Sequence, residues 1–93
     1  MTERTPSRGA PARPHTPLTR SIALQVKLVR IEPGMTQADM AAAAGLHVNT
    51  LSNIEKCHRS PTIAQVEAIA GVAGMSFSKL ARRAEERLKD IGD

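Results

Sequence analysis

From residue 21 onward, apolar residues recur at three- and four-residue intervals, and no stretch alternates with the two-residue period of a strand. Turn signals divide this pattern into five predicted helices. The first spans Ser21 to Glu32 and stops before Pro33-Gly34, because proline disfavours helix at the residue before it. Thr36 is an N-cap type with Asp39 three residues later, a variant of the capping box. The second helix then covers Gln37 to Ala44 and ends on Gly45, which suits a left-handed C′ position. The third covers about Val48 to Lys56, behind His47, a poor cap by residue type. Thr62 and Gln65 open the fourth, which Gly74 closes. Ser76 caps the last, from Phe77 to about Asp90. The expected fold is all-α: a compact five-helix domain.

The helix faces carry more information than the helix count. In the third helix Leu51 and Ile54 share one side, while Asn49, Asn53 and Lys56 fall on the other. Solvated faces more often carry Glu and Lys, so two amides there stand out. The first helix has two apolar stripes, Ile22/Val26/Val29 and Leu24/Leu28/Ile31, and must be covered twice. The last helix offers a cover through Phe77, Leu80, Ala81, Ala84, Leu88 and Ile91, with Glu85 four residues before Lys89 on its charged side. Either this helix folds back on the first, or Leu24, Leu28, Ile31, Leu80, Ala84, Leu88 and Ile91 include a dimer or partner surface.

Charge changes the picture only at one end. The chain has 93 residues and a formal charge of +4, but residues 1–20 hold Arg4, Arg8, Arg13 and Arg20 against Glu3. They also hold four of the six prolines, and almost nothing to bury before Leu18. Such a segment cannot offset the entropy of ordering, so 1–20 is expected to be a disordered basic arm preceding one helical domain, 21–93. The arm is a solvated tail, a phosphate or minor-groove contact of the kind homeodomain arms make, or, least well supported given its prolines, a transit peptide.

Composition removes other classes. No window approaches the roughly 20 apolar residues of a membrane span. One cysteine, Cys57, makes no internal disulfide and fits a reducing cytosol. Phe77 is the only aromatic residue, which argues against a base-stacking platform for single strands. His15, His47 and His58 lack metal-ligand spacing. Cys57 and His58 are chain neighbours, which rarely point together as nucleophile and base. Met35, Met40 and Met75 read as core filler. No enzyme, cofactor or small-molecule substrate is expected.

Thr36-Gln37-Ala38-Asp39-Met40-Ala41, then Ala44-Gly45-Leu46, then Thr50-Leu51-Ser52-Asn53-Ile54-Glu55-Lys56 and Arg59-Ser60-Pro61 together resemble the helix-turn-helix of phage repressors and Cro proteins, the lambda-repressor-like or Xre family. The resemblance covers roughly Ile22 to Ala81, with the helix-turn-helix core at 36–56. It implies that the third helix enters the major groove of double-stranded DNA. Val48, Asn49 and Asn53 then fall at base-reading positions, where an Asn amide can pair with adenine N6 and N7 and Val48 can pack on a thymine methyl. Thr36, Gln37, Thr50, Ser52, Lys56 and Arg59 fall at backbone-contact positions. Arg30 and Glu55 match a partly buried ion pair, and Ala41 the small residue between the second and third helices.

The chain departs from the family pattern at Cys57, where Gly or Asn usually takes positive φ, so the residue is strained there or the helix ends differently. It departs also at His47, in place of a Ser or Thr cap, at Ala42 and Ala43, in place of charged residues, and in a longer last helix. The function implied is a cytoplasmic, nucleoid-associated transcriptional regulator of a bacterium or phage, a repressor binding a palindromic operator as a homodimer. The alternative is a protein-interaction module, antitoxin-like or an adaptor, gripping a partner through the extra stripe and the last helix.

Overall fold

The computed structural model describes residues 15–92, with side chains as far as Asp90. Five helices follow one another: α1 (Pro17–Ile31), α2 (Gln37–Ala44), α3 (Val48–Glu55), α4 (Ile63–Val72) and α5 (Phe77–Gly92). No strand occurs among the described residues. The first helix starts at Pro17, four residues earlier than the apolar pattern from Ser21 predicts. The Thr16 hydroxyl accepts the Thr19 N–H at 3.1 Å, and Pro17 occupies the first turn, where no N–H is needed. Residues 15–20, read as arm, are therefore already part of the fold; the rest of the predicted arm, 1–14, lies outside the described residues.

The remaining caps form where the residue types place them. Asp39 N–H donates to the Thr36 hydroxyl at 3.0 Å while Thr36 N–H donates to the Asp39 carboxylate at 3.3 Å. Thr62 and Gln65 close the same reciprocal box at 3.1 and 3.0 Å. Lys79 N–H donates to the Ser76 hydroxyl at 3.1 Å. The turns after α1, α2 and α4 pass through Gly34, Gly45 and Gly74, all at φ between 73° and 83°, where a side chain would be strained.

These ends fix the angles at which the helices meet. Val26, Val29, Met40, Ala41, Leu51, Ile54 and Ile69 form one buried cluster, and Val66, Ala70 and Leu80 a second. Ile22 and Met75 pack against both, so the two are one continuous core. Each fully buried Met, Leu or Ile contributes about 1.5–3 kcal/mol.

The last helix folds back along the first. Ser21 Oγ donates to the Ala84 carbonyl at 2.7 Å, which requires two backbones to come close, and the small Ser21 and Ala84 allow it. One turn on, Arg87 Nη2 donates to Gln25 Oε1 at 3.2 Å. Ser21 and Gln25 are both buried, and the seam is thus polar where sequence periodicity shows only apolar stripes. This corrects the expected partner surface: Leu80 and Ala84 are fully buried inside the chain and face no partner. Leu24 and Ile31 remain 42% and 47% exposed, Leu28 and Leu88 are half-buried, and the Ile91 side chain lies outside the described residues.

Candidate nucleic-acid interface

The α3 helix is held by its back. Leu51 and Ile54 are fully buried, and Ala41 leaves room for α2 to lie close beside them. With that side fixed, helical geometry turns Val48, Asn49, Ser52, Asn53 and Lys56 outward together. Val48 is 44% exposed, Asn49 and Lys56 are exposed, and Thr50, Ser52 and Asn53 are half-buried. The Asn49 and Asn53 amides make no hydrogen bond with another described residue. An amide offers two N–H donors and a carbonyl acceptor, so this face presents free donor and acceptor pairs in the pattern that matches an adenine edge.

The last turn of α3 is fastened by a network. Arg30 Nε donates to Glu55 Oε2 at 2.7 Å and Arg30 Nη2 to Glu55 Oε1 at 2.9 Å, a bidentate pair. Arg30 Nη1 also donates to the Met35 carbonyl at 2.9 Å, and Gln37 Nε2 to Glu55 Oε1 at 3.0 Å. One carboxylate therefore ties the end of α1, the start of α2 and the end of α3. The pair is largely dry, with side chains 12% and 3% exposed. The hydrogen bonds that Arg30 donates to Glu55 hold the guanidinium pKa above its ordinary value, against the opposing effect of desolvation.

The expected ion pair of Arg30 and Glu55 is thus formed, and Gln37 joins it. Its amide keeps one N–H and its carbonyl without a partner among the described residues, beside the exposed first turn of α2. Nothing in the spacing of Gln37 and Glu55, 18 residues apart, reveals that bond in advance. Thr36 spends its hydroxyl oxygen as an acceptor on the α2 cap and keeps the O–H as a donor. Past α3, Lys56, His58 and Arg59 are all exposed.

The end of α3 resolves the question raised by Cys57. His58 N–H donates to the Asn53 carbonyl at 2.9 Å and Cys57 N–H to the Ile54 carbonyl at 3.0 Å. Those two bonds define the glycine-type helix end. The helix therefore ends as the family pattern implies, and Cys57 takes φ 60°, the only non-glycine positive φ among the described residues. Its Sγ lies 3.9 Å from His15 Nδ1.

A helix-turn-helix family model matches residues 26–80, and this chain belongs to that family. An immunity repressor protein of Bacillus phage phi105 is 30% identical over 60 residues, which is 64% of this chain and 42% of that one. The chain thus spans about two-fifths of that repressor's length. Among solved structures, the wild-type restriction–modification controller protein C.Esp1396I superposes with a TM-score of 0.66 at 29% identity, over 75% of this chain and 94% of that one. The same controller bound to a 25 base pair operator site superposes with a TM-score of 0.63 at 28% identity, over 76% and 96% of the two chains.

Proposed function

We propose that this DNA-binding transcriptional regulator acts as a repressor, a homodimer that places two copies of α3 in successive major grooves about 34 Å apart. The observation that carries the reading is the uncommitted amide face of α3: Asn49 and Asn53 are turned outward by a buried back and have no partner among the described residues. Val48, Asn49 and Asn53 choose bases. Thr36, Gln37, Thr50, Ser52, Lys56 and Arg59 set register on phosphates, aided by the free N–H groups at the start of α2. Similarity to a phage repressor and to a controller solved on its operator supports the same direction.

Occlusion of a promoter is the mechanism, since bound protein and polymerase cannot share one groove. The dimer forms through the apolar residues that α5 leaves uncovered on α1, Leu24 and Ile31, with half-buried Leu28 on the same stripe. No described helix is long and apolar enough to cross a membrane, and the protein works in the cytoplasm, where its DNA is. The same stripe supports the second reading, a module that grips another protein. Selection from a random duplex library at about 0.15 M salt tests the first. Recovery of one palindromic motif is the expected result; salt-sensitive binding with no motif would sink the repressor reading and leave the stripe to a protein partner.

A further inference from the structure

Four of the five helices begin on a hydroxyl that caps them: Thr16, Thr36, Thr62 and Ser76 each accept a backbone N–H three residues on. The fifth, α3, begins on His47, which has cap backbone geometry (φ −73°, ψ 145°) and makes no side-chain cap bond. Its imidazole is exposed. The chain thus uses a hydroxyl cap at each of the other four helices, and gives one up at the helix that carries the amide face. A local rule kept everywhere else and broken at one functional element marks a side chain with another task.

We infer that His47 is a fourth base-reading residue, whose imidazole N–H donates to N7 of a purine at the edge of the half-site. This rests on the DNA reading above. Three observations lead to it. His47 directly precedes exposed Val48 and Asn49, and the N-terminal residues of a groove-bound helix are the ones that reach base edges. Its ring atoms are uncommitted, since neither a cap bond nor another described residue holds them. And an imidazole carries one N–H donor in either neutral tautomer, which fits the N7 acceptor that both purines, and neither pyrimidine, present in the major groove.

The fold-serving role and the base-reading role predict opposite results for one substitution. His47→Ser installs the missing cap, so it should raise the midpoint of thermal unfolding by a few degrees. If His47 reads a base, the same variant should lose roughly tenfold in affinity for the selected operator. It should also lose the purine preference at one symmetric pair of positions, with preference at the Asn49 and Asn53 positions kept. His47→Asn, a good cap that also carries an amide, should recover stability and shift that position toward adenine. Selection of motifs by wild type and both variants reads this out. Wild type and His47→Ser recovering the same motif with equal affinity would overturn the inference while the DNA reading stands. A uniform loss across all duplexes, as from a phosphate contact, overturns it too. If wild type itself recovers no motif, the DNA reading fails and takes this inference with it.

Discussion

Two polar groups of the molecule are made of similar atoms and used in opposite ways. In the first, Arg30, Glu55 and Gln37 are bonded to one another and to the Met35 carbonyl, and the ion pair at its centre is almost dry. In the second, the Asn49 and Asn53 amides have no partner among the described residues. Glu55 and the two amides lie on the same eight-residue helix. A buried polar group without a partner costs free energy, so the first group must be satisfied within the chain. An outward-facing group has water instead and can exchange it for a base edge. On α3 the satisfied polar atoms hold the helix and the unsatisfied ones are free to recognise.

The most severe way to break that division is at its satisfied side. Glu55→Ala leaves the Arg30 charge largely buried without a carboxylate, which should cost about 3–5 kcal/mol of folding stability. Because Glu55 also holds Gln37, operator affinity should fall for every sequence alike. Urea unfolding and a binding titration check both; a loss below about 1 kcal/mol would place the pair with ordinary surface ion pairs. At the open side, Asn49→Ala should cost about 1–3 kcal/mol of binding and relax preference at one position. Its effect on stability should stay within about 0.5 kcal/mol, as for surface residues generally. If Asn49→Ala and Asn53→Ala both leave base preference intact, α3 presents a different face. The division extends to the apolar residues of α1. Ile31 is exposed where Val26 and Val29 are core, so Leu24→Glu with Ile31→Glu should convert the proposed dimer to a folded monomer in sedimentation. A dimer that survives would move the interface elsewhere.

How much of this was legible in the sequence follows the same division. Local chemistry was: Thr36 with Asp39, Thr62 with Gln65, and the glycines at 45 and 74 announce their helix ends, because caps and left-handed turns depend on residue type within a few positions. The start of α1 was missed because Pro17 looks like one more proline of the arm, whereas one proline in a first turn is favourable. The face of α3 was legible because Leu51 and Ile54 leave only one orientation. The partners of α5 were not. Leu80 and Ala84 share a stripe with Leu88, and spacing cannot say which end of a stripe goes into the core; the Ser21–Ala84 bond decides it, over 63 residues of separation. Gln37 was expected to be free for phosphate, and the structure gives half of its amide nitrogen to Glu55. Helix positions predict direction outward from an axis; they do not predict a partner on another helix.

The finest test lies at Cys57, between the two polar groups. Its φ of 60° is one that glycine adopts freely and a side chain resists by about 1–2 kcal/mol. Glycine also loses more backbone entropy on folding, by about 0.5–1 kcal/mol. Cys57→Gly should therefore stabilise the chain by at most about 1.5 kcal/mol, raising the thermal midpoint by a few degrees. The opposing contribution is the half-buried thiol, whose sulfur sits 3.9 Å from the His15 ring. Cys57→Ala separates the two effects, since it keeps the strained backbone and removes only the sulfur. If the glycine variant gains and the alanine variant loses stability, the backbone is strained and the thiol contact partly compensates. If the glycine variant does not gain while the alanine variant loses, the contact with His15 and glycine's entropy together offset the strain. In that case the end of α3 is fastened by packing against the residue ahead of α1, and Cys57 belongs with the groups that hold the helix.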